Sequence, residues 1–130
     1  MTLHEQFKQE CDREIAQMGG DVGLIGATSD WITLANEQNY SYHFAWQGRP
    51  IIQYPQDMVA MQELIWQIKP DLIIETGIAH GGSLIFSASQ LAQLDLCDAI
   101  ESGDMLDPKN SKRKVLGIDI DILAHNRAAI

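Results

Sequence analysis

The chain is poor in three things that would each point to a function. It has two cysteines, Cys11 and Cys97, far apart and in no metal-ligand or redox spacing, so a disulfide framework and a zinc knuckle are excluded. It has only 9 basic residues against 18 acidic ones, a net charge of -9, so a nucleic-acid backbone would be repelled unless a local basic patch existed. The one dense basic stretch, Lys109 to Lys114, is short and reads as a solvated loop before a strand. Long apolar runs are missing as well. No stretch approaches the roughly 18 residues of a membrane span, and Thr2 to Met18 is interrupted by charges, unlike the apolar core of a secretion signal. A reduced cytoplasm is the expected location. What remains is a chain of 130 residues with 45% hydrophobic composition, enough to bury a core.

The stretch Asp71 to Ser83, DLIIETGIAHGGS, organises the rest. Leu72, Ile73 and Ile74 have the continuous apolar pattern of a strand buried on both faces, bounded by Pro70. Glu75 closes the strand, and Gly77, Gly81 and Gly82 permit a tight bend and close approach of a ligand. Ser83 opens an apolar-periodic helix that continues through Leu84, Ala88 and Leu91. A strand–glycine loop–helix junction aims backbone N–H groups and the positive end of a helix dipole at whatever sits above the strand. The spacing E-x-G-x-x-x-G-G-S departs from the G-x-G-x-x-G pattern of dinucleotide binders. The sign of Glu75 also matters. A carboxylate would repel a pyrophosphate but attract the ammonium and sulfonium of S-adenosylmethionine, whose own carboxylate would face the helix start. A nicotinamide-dinucleotide module shares the architecture and is the competing reading, as is a non-catalytic remnant that keeps half a cofactor site.

Val115 to Ile118 is the second buried-strand candidate, ending in Asp119 and Asp121. In a right-handed strand–helix–strand unit both strand ends reach the same rim, where an acid after the second strand holds a ribose diol. Asp119 is preferred because it directly follows the apolar run; Asp121 could instead cap a helix begun by Leu123, Ala128 and Ala129. The interval from Glu75 exceeds the usual spacing of about 20 residues, and the acidic, turn-forming stretch Asp95 to Lys112, read as a solvated insertion, accounts for the excess.

The two blocks IIETGIAHGGS and VLGIDIDILAHNR resemble the N-terminal part of the cephalosporin hydroxylase and rhamnosyl O-methyltransferase family, from roughly Trp46 onward. That resemblance implies an α/β fold, a Rossmann-like domain dependent on S-adenosylmethionine. It implies Glu75, Gly77, Ala79, Gly81 and Ser83 as cofactor contacts and Asp119 as the ribose acid. It also implies methyl transfer to a hydroxyl of a small-molecule or glycolipid acceptor, although hydroxylation is not separated from it. A divalent metal such as Mg is allowed, with ligands beyond residue 130, and so is a homo-oligomer. No catalytic residue is assigned; His80 lies in the glycine loop, where a hydrogen-bonded bystander is the commoner role.

The expected organisation is an N-terminal extension over 1–54 and the first half of the cofactor-binding domain over 55–130. Thr2 and Glu5 form a capping-box pattern before a first amphipathic helix carrying Leu3, Phe7, Cys11, Ile15 and Met18, ended by Gly19 and Gly20. Asp21 to Thr28 reads as a glycine-containing loop. Asp30 to Trp46, rich in aromatics, admits helix and strand; it would either pack on the domain or present Tyr42, His43 or Trp46 as a flap, and packing is expected. Pro55 opens a helix whose face carries Met58, Met61, Leu64, Ile65 and Ile68. With two strands only, residues 1–130 alone are expected to self-associate or stay partly molten and to lack methyltransferase activity.

Overall fold

The computed structural model describes residues 1–127, which fall into two units, one spanning Met1–Tyr40 and one beginning at Ser41. In the first unit α1 covers Leu3–Gly20. Its capping box is formed: the Glu5 amide donates to Thr2 Oγ1 at 3.2 Å and the Thr2 amide to Glu5 Oε2 at 2.7 Å. The expected loop at Asp21 to Thr28 is not one. Asp21 caps a second helix, α2, over Val22–Glu37, accepting from the Leu24 amide at 3.0 Å. The cap and contact with α1 outweigh the propensity cost of Gly23 and Gly26 inside the helix. The Trp31 ring meets Tyr40 edge-on at 5.3 Å.

The second unit opens with a short antiparallel hairpin, β1 (Phe44–Trp46) and β2 (Arg49–Ile51), with Trp46 opposite Arg49. Gln47 and Gly48 both take positive φ, 47° and 81°, as a two-residue hairpin turn requires. The aromatic segment is thus divided between α2, one 3-10 turn at Tyr40–Tyr42 and β1. Trp46 packs rather than gates: its Nε1 donates to Ser89 Oγ at 3.0 Å and its ring meets Phe86 edge-on at 5.0 Å. Helix α3 runs Pro55–Ile68 with proline in its first turn and ends at Lys69, whose φ is 48°.

β3 (Leu72–Thr76), α4 (Gly82–Ser102) and β4 (Lys114–Ile118) form a parallel strand pair and its connecting helix. Ile73 lies opposite Val115, Glu75 opposite Gly117 and Thr76 opposite Ile118. Ile65 of α3 and Leu91 and Leu94 of α4 pack on Ile73 and Val115, making the core. Both helices therefore cover one sheet face. Leu72, Ile74, Leu116 and Ile118 alternate to the other face and are about half exposed, so the strand is covered on one face among the described residues, not two.

The acidic stretch also differs from expectation. Helix α4 continues through Asp95, Asp98 and Glu101 to Ser102, leaving only residues 103–113 outside regular strands and long helices. Asp95 and Asp98 are held in helix because they face Arg113, at 2.6 and 2.7 Å. Burial alone would raise the Asp95 carboxyl, but the Ser111 hydroxyl and the Arg113 guanidinium outweigh it and hold it below its usual range. Helix α5 covers Ala124–Arg127, its first bonds accepted by the Leu123 carbonyl, so Asp121 lies outside it and does not cap it. Ala128 and Ala129 lie outside the described residues.

Candidate functional site

The loop from Thr76 to Gly82 is held peptide by peptide. The Gly77 amide donates to the Ile118 carbonyl at 2.9 Å, prolonging the parallel ladder by one residue. Gly77 then turns with φ 81°, a conformation open to glycine without steric cost. The Ile78 amide donates to Asp119 Oδ2 at 2.6 Å, and the Ile78 side chain is buried beside Gly117, where a Cβ would press on the Leu84 and Ile78 side chains. Ala79, with φ 45°, offers its carbonyl to Asn126 Nδ2 at 2.5 Å; the His80 carbonyl accepts from Arg49 Nη1 at 2.9 Å. The Gly81 amide closes the turn on the Ile78 carbonyl at 2.8 Å, and Gly81, φ 78°, stands at the start of α4.

Among the described residues no side chain caps α4, so the N–H groups of its first turn are left to a ligand or to water. They border a cavity of about 280 Å³. Glu75, Gly77, Ala79, His80, Gly82 and Ser83 line one side of it; Pro50 to Gln53 and Asp57, Met58 and Met61 of α3 line the other. The Ser83 hydroxyl donates to Glu75 Oε1. Burial pushes the Glu75 carboxyl above its usual range, an effect the Ser83 hydrogen bond only partly offsets. Among the described residues no lysine or arginine lines this cavity, whereas two carboxylates, Glu75 and Asp57, do. Its electrostatics are therefore split: acid on the strand and α3, positive partial charge at the helix start.

Of the residues singled out in the sequence, Glu75, Gly77, Ala79 and Ser83 come together on the cavity, while Gly81 and Asp119 do not line it. Asp119 stands at the same end of the sheet, directly after the Thr76–Ile118 pair, and is bound to the loop from the other strand. The Ile78 amide, and after it the Asp121 amide, hold its carboxyl below the usual range, so it is anionic at neutral pH. Three further residues matter that sequence reading passed over. Asp57 has only the ordinary signal of an acid in a first helical turn. Arg49 sits in what reads as a turn, and Asn126 belongs to the second motif block without any spacing that would mark it.

These features define an α/β protein with a small-ligand cavity where a parallel strand pair meets a helix N-terminus. The chain belongs to the rhamnosyl O-methyltransferase/CmcI family, whose model matches residues 38–130, and so stands with the methyltransferases. Comparison with curated protein sequences and with solved structures returns no match. No helix among the described residues is long and apolar enough to cross a membrane. Nor do any three His, Cys, Asp or Glu side chains among them stand close enough to hold a metal ion.

Proposed function

We propose that the chain binds S-adenosylmethionine at this cavity and serves O-methylation of a small-molecule or glycolipid hydroxyl in the cytoplasm. The observation that carries the reading is the juxtaposition of the half-buried Glu75 carboxylate with the uncapped start of α4. That pair suits a zwitterion: an ammonium against Glu75 and a carboxylate against the helix N–H groups. A pyrophosphate placed there would meet Glu75 and Asp57 with no lysine or arginine among the described lining residues to compensate, which counts against a nicotinamide dinucleotide. In this reading Glu75 and Ser83 hold the amino-acid end, Gly77, Ala79 and Gly81 keep the loop backbone within reach, and Asp119 accepts from the ribose hydroxyls along the rim. Residues 55–130 supply the cofactor-binding strands of a Rossmann-like domain and 1–54 an extension to it. The cofactor, when bound, supplies a sulfonium methyl group; the residues here bind and orient it, and none of their roles involves a metal.

Asp119 has a second duty, since it also anchors the Ile78 amide. Asp119→Ala is therefore expected to weaken S-adenosylmethionine binding by more than about tenfold, through loss of both the ribose acceptor and the loop anchor. Asp121→Ala, which leaves that carboxylate in place, is expected to change it by less than about threefold. Calorimetric titration of both variants decides the matter, and equal losses would remove Asp119 from the site.

A further inference from the structure

Residues 78, 79 and 80 are gripped from three different elements: Asp119 after β4, Asn126 in α5 and Arg49 in β2. Two of these grips are on carbonyls, and a carbonyl held on one side directs the next residue's amide to the other, because the peptide is planar and trans. Holding the Ala79 carbonyl against Asn126 thus turns the His80 N–H away from α5, and His80 lines the cavity. Asn126 is 5% exposed, and its amide reaches Ala79 at 2.5 Å. Ala79 is left-handed at φ 45° without being glycine, a conformation that L side chains disfavour and that persists only where the surroundings impose it. We propose that Asn126 is a positioning residue for the cofactor loop, its buried amide fixing the Ala79–His80 peptide so that the His80 N–H is presented to the ligand. The ligand half of this inference rests on the S-adenosylmethionine reading; the loop half does not.

Asn126→Asp keeps the shape and replaces the donor by an acceptor. Asn126→Ser, smaller and too short to reach Ala79, serves if a carboxylate in that place unfolds α5. Two measurements are needed: amide hydrogen exchange of the ligand-free protein, and calorimetric titration with S-adenosylmethionine. The expected result is faster exchange confined to residues 78–82, with the β3 and β4 amides as protected as in the parent, and affinity lower by about tenfold. Unchanged loop exchange, unchanged affinity, or loss of protection spread equally into β3 and β4 would each overturn the proposal. If the parent protein does not bind S-adenosylmethionine, the functional reading fails, and exchange confined to the loop still decides whether Asn126 positions it.

Discussion

Gly82→Ala is expected to destabilise the second unit by roughly 3 kcal/mol, the upper part of the range for overpacking a close contact. A Cβ on Gly82 would lie 2.1 Å from the Pro50 carbonyl oxygen, 2.7 Å from its carbon and 2.8 Å from Ile51 Cβ. The obstacle is backbone, which cannot rotate aside as a side chain would. Ile51, at 1% exposure, cannot move away without opening the contact between β2 and α4. The same displacement would reshape the cavity, because Pro50 and Gly82 touch each other and both line it. Gly77→Ala is the informative contrast: nothing stands within 4 Å of its Cβ, so only the strain of φ 81°, about 1 kcal/mol, is expected. Urea denaturation of both variants measures the difference, and equal losses would show that the hairpin does not press on the helix start.

Glu75→Gln should separate binding from stability. Loss of the charge that faces the ligand ammonium is expected to weaken S-adenosylmethionine binding by about 10- to 100-fold, the scale of a hydrogen bond to a charged group. The ligand-free protein should nevertheless become more stable at neutral pH. Burial raises the folded-state pKa of Glu75 above its ordinary value of 4.5, so in that window the folded chain binds more protons than the unfolded one. Its contribution to stability is then fully present below pH 4.5 and is lost as the pH rises through the folded-state value. Glutamine removes that loss, and the melting temperature is expected to rise at pH 7, with no gain at pH 4. Thermal scans at the two pH values check the sign. A melting temperature lowered at pH 7 would mean that the carboxylate is stabilised by its surroundings and is not poised for a cation.

What was legible in the sequence was local. The capping box at Thr2 and Glu5, the proline start of α3, and the strand–loop–helix junction at Leu72 to Ser83 are each set by residues a few positions apart, and each stands where the pattern puts it. Helix α2 was hidden because Gly23, Gly26 and Thr28 carry the composition of a loop, while the cap at Asp21 and contact with α1 decide otherwise. The end of α4 was hidden for a different reason. Asp95 and Asp98 have turn-forming propensity, and their partner Arg113 lies beyond an intervening turn. At the site the same division holds: Glu75, Gly77 and Ser83 belong to one motif, but the side chains that shape the loop, Arg49 and Asn126, act on backbone carbonyls 31 and 47 positions away. A bond to a carbonyl leaves no complementary residue type in the sequence to betray it.

The most direct test of the central claim is a thermal-shift titration of the protein with S-adenosylmethionine, S-adenosylhomocysteine and NAD, since a ligand that binds the folded state raises its melting temperature, and raises it further as its concentration exceeds its Kd. Both adenosyl ligands carry the ammonium and carboxylate that Glu75 and the start of α4 are arranged to receive, so both are expected to raise the melting temperature, while NAD leaves it unchanged. Stabilisation by NAD, or by none of the three, would contradict the account.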